Sequence, residues 1–201
     1  MKILSSDRSY TFSQIFDLTE EVDDIVADFG YGFDRQKLNL PPYPGSLDRL
    51  QELQDRIEEI LPFVNLTTEM ARREILISRV LTEVVHYTKA QLRIEYPLKV
   101  SQHLQGYLGY LLTKQQQIIV IEAKKEDITN GIKQLGVELI ALDQWLESSQ
   151  PVLMGAITTG TLWQFVQLDR HHHQIHQGLE SYRVPEDLNV LLPILVQSLL
   201  A

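Results

Sequence analysis

The apolar positions of the first ninety residues follow a helical period. Between Thr11 and Asp28, the residues Phe12, Ile15, Phe16, Leu18, Val22, Ile25 and Val26 keep approximate helical spacing, and Gly30 and Gly32 close the run. The spacing predicts a helix or a strand-turn-helix. Leu40-Pro-Pro-Tyr-Pro-Gly reads as a turn-rich connector, and Ser46 is placed to cap a helix bearing Leu47, Leu50, Leu53, Ile57 and Leu61 before Pro62. The next helix is expected to start at Thr67 or Thr68 and run to about Thr88, with Met70, Ile77, Val80, Leu81, Val84 and Val85 as its stripe. Glu74 falls inside that stripe, within about 60° of Met70, Ile77 and Leu81, so it is expected to face the protein. Arg72, Arg73 and Glu83 read as solvated charges.

After Ala90 the period shortens to that of strands, over residues 92–98, 104–113 and 118–123, each bounded by polar or turn-forming residues. The last two flank the tip Thr113-Lys114-Gln115-Gln116-Gln117 and are expected to form a hairpin. Residues 129–146 return to helical spacing through Ile128, Ile132, Leu135, Leu139, Leu142 and Leu146, which implies a helix packed over the sheet. Two further strands, 152–158 and 162–168, are joined by Thr159-Gly160-Thr161, and 186–200 forms a final amphipathic helix. No internal repeat or low-complexity tract interrupts this order. The expectation is one α/β domain with a mixed sheet: a mainly helical N-terminal extension over 1–64, a core over 65–170, and a C-terminal connection and helix over 171–201.

Composition bounds what such a domain does. Of 201 residues, 44% are hydrophobic and 22% charged, which is globular usage. The absence of cysteine excludes disulfides and thiolate metal sites. No apolar run approaches the roughly 20 residues of a membrane span, and the start of the chain carries no stretch resembling a signal peptide. A soluble, cytoplasmic protein without membrane contact is therefore expected. The net charge of −9 argues against a dedicated DNA binder, which holds phosphates mainly through Lys and Arg. Its distribution tempers that: residues 1–64 hold 13 acidic and 6 basic residues, whereas 65–150 hold 10 of each. Any contact with DNA is expected to be weak.

The chemistry concentrates at the end of the third predicted strand. Side chains two apart in a strand share a face, so Glu122 and Lys124 project together from the otherwise apolar run Ile118-Ile-Val-Ile. A carboxylate and a lysine on one face, with a further inward carboxylate at Glu74, would suit Mg²⁺ and phosphodiester hydrolysis, the ammonium orienting water or stabilising phosphate charge. An isolated Glu-x-Lys is more often a sheet-edge ion pair, extended here by Lys125 and Glu126.

The order of elements over about residues 65–170 resembles the PD-(D/E)xK nuclease superfamily, with its restriction-endonuclease-like mixed sheet flanked by helices. In that resemblance Glu74 matches the carboxylate of the first core helix, Glu122-Ala123-Lys124 the (D/E)xK element, and Gln134 the glutamine of the following helix. Gly155, Thr158, Gly160 and Trp163 fit the Gly-x-x-Thr-x-Gly-x-x-Trp hairpin of a small single-domain subgroup. The resemblance implies a Mg²⁺-dependent nuclease with Glu122 and Glu74 as metal ligands, Lys124 assisting the attacking water, and Gln134 orienting the site. One departure qualifies it. The pattern resembling Gly-x-x-Asp-Tyr is here Gly106-Tyr-Leu-Gly109-Tyr110, so Gly109 stands where the principal metal-binding aspartate is expected, and activity is expected to be impaired.

Two alternatives accompany that reading: a non-enzymatic module on the same fold that binds a protein partner, nucleic acid or a second copy of the chain, and an active DNA endonuclease with a migrated carboxylate. The run Arg170-His171-His172-His173-Gln174-Ile175-His176 invites a metal reading, but adjacent histidines diverge and no cysteine completes a set, so a polar connection is expected. Trp145, Trp163, Tyr107 and Tyr110 are read as core or subunit-contact residues in preference to a base-stacking platform.

Overall fold

The computed structural model describes residues 3–5, 7–124 and 127–200. Strict alternation builds the middle of the sheet. In β4 (Gln117–Ala123), Ile118 and Val120 turn to one face while Ile119, Ile121 and Ala123 turn to the other. The two-residue tip Gln115-Gln116 folds β4 back antiparallel onto β3 (Gln105–Lys114), setting Lys114 opposite Gln117, and β2 (Gln91–Lys99) forms the edge beyond β3. From β4 the chain crosses through α6 (Ile128–Trp145) to β5 (Val152–Thr158), which runs parallel to β4. A helix suits that step because parallel neighbours cannot be joined by a tight turn. β6 (Leu162–Asp169) and β7 (Gln174–Arg183) follow antiparallel, and β1 (Gly32–Gln36) closes the other edge parallel to β7. The protein is thus an α/β fold with a seven-stranded mixed sheet in the order β1-β7-β6-β5-β4-β3-β2.

Helices cover both faces. α1 (Phe12–Phe16), α2 (Val22–Ala27) and α6 pack on the face that carries Val120, Leu153 and Val166. α3 (Leu50–Ile60), α5 (Ser78–Thr88) and α7 (Leu188–Leu200) pack on the face that carries Ile119, Ala156 and Phe165. Among the described residues, no helix is long and apolar enough to cross a membrane.

The β5–β6 hairpin explains its own sequence. Gly160 turns the chain at φ +85°, a conformation that favours glycine. The Thr158 hydroxyl accepts the Gly160 N–H (2.8 Å) and donates to the Leu162 carbonyl (2.9 Å), while the Trp163 indole N–H donates to the Gly160 carbonyl (3.3 Å). At Gly155, a Cβ would stand 3.0 Å from Leu135 and 3.2 Å from Leu139, so its absence lets α6 settle on the sheet.

Several expectations are corrected. The run from Thr11 to Asp28 divides into α1 and α2, with the Lys133 ammonium of α6 holding the intervening Leu18 carbonyl (3.0 Å). Ser46 does not cap α3; the helix begins after Arg49, whose N–H is taken by the distant Tyr87 hydroxyl (2.7 Å), so a tertiary contact sets the start. The largest change is at the ends of the chain. Residues 174–183, expected within a connection, form β7, and 32–36 form its partner β1, so the N-terminal extension contributes a strand as well as helices.

Candidate functional site

The cleft of interest opens where β3 and β4 meet α1, α4 (Glu69–Arg72) and α6, with a volume of about 400 Å³. Glu122 reaches it from the last turn of alternation in β4, on the α6 side of the sheet, and only 6% of it is exposed. Lys124 follows just past the strand, tethered by its N–H to the Thr158 carbonyl (2.8 Å). The Lys124 ammonium lies 2.8 Å from Glu122 Oε1 and 4.7 Å from the centre of the Phe16 ring. Expected to share a face, the two side chains form a closed, nearly buried ion pair. Lys125 and Glu126 lie outside the described residues.

Gln134 enters from α6, 3% exposed, and its amide N–H donates to Glu138 Oε1 (2.7 Å) one helical turn on. Glu138 is fully buried. One oxygen on each of these three side chains, Glu122 Oε2, Gln134 Oε1 and Glu138 Oε2, is buried without a hydrogen-bond partner. Each such orphan costs a fold about 1–3 kcal/mol, so three around one ion pair are a considerable expense in a native structure. Burial pushes the Glu122 carboxyl above its ordinary range, with Lys124 working against that rise. Burial and then the charge of Glu122 push Glu138 well above it.

Gly109 faces Glu122 across the β3–β4 ladder. A Cβ there would stand 2.8 Å from Glu122 Oε2 and 3.1 Å from the Ile121 carbonyl, so the glycine makes the room that the glutamate fills. The residue that lies opposite on β2 is also unusual. Glu95 interrupts the β2–β3 ladder with φ +51°, a strained conformation for a non-glycine residue, and reaches Arg73 at 2.6 Å. Arg73 also lies 3.8 Å from Glu69 and donates through Nε to the Tyr110 hydroxyl (3.0 Å).

The helix that was to supply Glu74 contains a π turn, Arg73–Ile77, between α4 and α5. A π turn closes on the fifth residue instead of the fourth, so the face computed at a constant 100° per residue shifts at that point. Before and at the start of the turn Glu69, Arg72 and Arg73 are partly buried, while Met70 and Glu74 are exposed. Glu74 is therefore not part of the cleft; Glu69 is the acid that lines it from this helix. Arg72 and Arg73 are not solvated charges either, since Arg72 donates to the carbonyls of Leu66 (2.7 Å) and Thr159 (3.0 Å). Glu83 is likewise buried, in a 2.7 Å bridge to Arg49.

Of the residues singled out by sequence, Glu122, Lys124 and Gln134 converge and Glu74 does not. Glu69, Arg73, Glu95 and Glu138 were missed. Glu138 had a signal: it lies about 40° from both Gln134 and Leu142 around α6, inside an apolar stripe. Trp163 and Tyr110 are core residues as expected, whereas Tyr107 is exposed at the mouth of the cleft and Trp145 is partly exposed beside Tyr96. Three of the four histidines of that run make separate local contacts, His172 with Asp169 (2.8 Å), His176 with Asp34 (2.7 Å) and His173 tilted against the Tyr31 ring. Among the described residues, no three His, Cys, Asp or Glu side chains form a group able to hold a metal ion. The cleft is lined by the carboxylates of Glu69, Glu95 and Glu122 and the amide of Gln134, with Glu138 buried behind Gln134; Arg73 engages Glu69 and Glu95, which leaves Glu122 and Gln134 as a partial fit to the oxygen donors a hard cation takes.

What fold and site define together is a class: an α/β protein with a buried carboxylate–lysine pair at the end of a central strand. No protein-family model matches the chain, and no curated protein matches it in sequence.

Proposed function

We propose that the cleft is a nuclease-type site on a restriction-endonuclease-like scaffold, one that takes a divalent cation weakly and cleaves DNA slowly or not at all. The observation that carries this reading is the convergence of Glu122, Lys124 and Gln134 from β4 and α6 on one cleft, with Gly109 across from Glu122. A bound Mg²⁺ would supply Lewis-acid polarisation of a phosphodiester. Glu122 would hold it, Gln134 would fix the Glu138 carboxyl behind it, and Lys124 would orient water or offset charge on the phosphate. Weakness follows from the missing carboxylate at Gly109 and from the engagement of Lys124 with Glu122 at 2.8 Å.

A second reading, a binding module without catalysis, is favoured by a specific feature: among the described residues, both cations lining the cleft, Lys124 and Arg73, already have acidic partners. Plasmid cleavage with Mn²⁺, together with calorimetric titration of Mn²⁺, separates the two. The nuclease reading expects weak uptake and a trace of nicking, both lost in Glu122→Ala. Uptake and nicking that persist in Glu122→Ala would sink it. No uptake at all would favour the binding module, and tight uptake abolished by Glu122→Ala would overturn the impairment.

A further inference from the structure

We infer that Glu138 is the second carboxylate of a cation site formed with Glu122 and Gln134, taking from α6 the role that Gly109 leaves vacant on β3. The inference rests on the proposed reading of the cleft and names the ligand which that reading lacks.

Three observations carry it. Glu138 is fully buried, and its Oε2 has no partner. A buried carboxylate oxygen without a hydrogen bond is costly and is kept only where something else meets it. Its other oxygen is fixed by the Gln134 amide at 2.7 Å, and Gln134 itself lines the cleft with its own Oε1 unpartnered. That bond holds both side chains in place; the free oxygen of Gln134 is an acceptor, and that of Glu138 is one whenever its carboxyl is ionised. Finally, Lys124 engages Oε1 of Glu122, while Oε2 lies against the Gly109 backbone without a hydrogen bond of good geometry, so a cation drawing on the free oxygens need not displace the lysine. The set is two carboxylates and an amide, all oxygen donors, which selects a hard cation such as Mg²⁺ or Mn²⁺ over a soft one.

The test is uptake of Mn²⁺, followed by the loss of the free-ion electron paramagnetic resonance signal, by the unaltered chain and by E122Q, E138Q and E74Q. The inference expects one Mn²⁺ bound, with affinity weakened at least fivefold in both E122Q and E138Q and by less than twofold in E74Q. Thermal midpoints in chelator establish that each variant is folded. If E138Q does not fold, Glu138→Asp, which keeps the charge and retracts it by one carbon, carries the same two outcomes. E138Q, or its Asp substitute, within twofold of the unaltered chain while E122Q weakens fivefold would overturn the role of Glu138 and leave the cation site of Glu122 standing. No uptake by the unaltered chain, or uptake indifferent to E122Q, would bring down the cation reading of the cleft and this inference with it.

Discussion

Replacing Lys124 by methionine removes the ammonium and keeps an apolar stem to pack on Phe16. Glu122, whose side chain is 8% exposed, then has no cation at 2.8 Å. If it stayed ionised, breaking the buried pair would cost about 3–5 kcal/mol. It can instead take a proton, and this sets the sign of the pH dependence. Burial already raises the folded-state pKa of Glu122 above 4.5, and Lys124 opposes that rise. Without Lys124 it climbs further. A carboxyl with a raised folded-state pKa binds more protons folded than unfolded, so its contribution to stability falls as pH rises above its unfolded value. Below that value both states are protonated and the two proteins differ only by the lost contact with Phe16, roughly 0.5–1 kcal/mol. Each unit added to the folded-state pKa costs about 1.4 kcal/mol once pH has passed it. Lys124→Met is therefore expected to match the unaltered chain within about 1 kcal/mol near pH 4 and to fall about 3–5 kcal/mol below it near pH 8. Urea unfolding in chelator at the two pH values measures this, and the double variant E122Q/K124M should recover most of the loss. A deficit equal at both pH values would refute the argument, because it would mean that Glu122 carries no charge for Lys124 to balance.

Two further outcomes are expected. Arg170 bonds Asp143 Oδ1 at 2.5 Å and takes the carbonyls of Asp143, Leu146, Ser148 and Gln150, fastening the end of α6 to the start of β5; Arg170→Ala should cost about 3–5 kcal/mol, or roughly 6–20 °C in thermal midpoint, and a loss under about 1 kcal/mol would show that these bonds are replaced by water. Gly109→Asp must push Glu122 Oε2 aside from 2.8 Å, so in chelator it should lose about 1–3 kcal/mol while binding Mn²⁺ more tightly than the unaltered chain; chemical denaturation and calorimetry check the two halves, and undiminished stability would mean that Glu122 is not confined by Gly109.

How far the fold could be read from sequence depended on whether side chains or backbone supply the signal. The β3–β4 hairpin and α6 were legible because each buries an apolar face with an unbroken period. β7 was not: over Gln174–Arg183, only Ile175 and Gly178 are buried, and Leu179 points outward at 63% exposure. It is held by ladder bonds to β6 and to β1, and the β1 residues lie some 140 positions away, as in the pairing of Asp34 with His176. Backbone pairing of that kind leaves little trace in the pattern of side chains. β1, reading Gly-Phe-Asp-Arg-Gln, is still plainer, an edge strand whose last three residues are exposed.

The site divides along a different line. Glu122, Lys124 and Gln134 sit on elements whose period holds as far as the cleft, so same-face geometry brings them together. Glu74 lies within the π turn, which shifts the face there, so Glu74 is exposed and Glu69, one turn earlier, lines the cleft in its place. Glu138 was accessible to the same angular reasoning as Gln134, and its position raises a question of charge. Two buried carboxylates, Glu122 and Glu138, stand near enough for one to shift the other, and among the described residues the Lys124 ammonium, at 2.8 Å from Glu122, is the one paired with them. A second buried negative charge without a counter-charge costs more than the surrounding packing can return. Glu138 therefore keeps a proton unless a cation meets it, and in both cases its state is tied to the charge of Glu122.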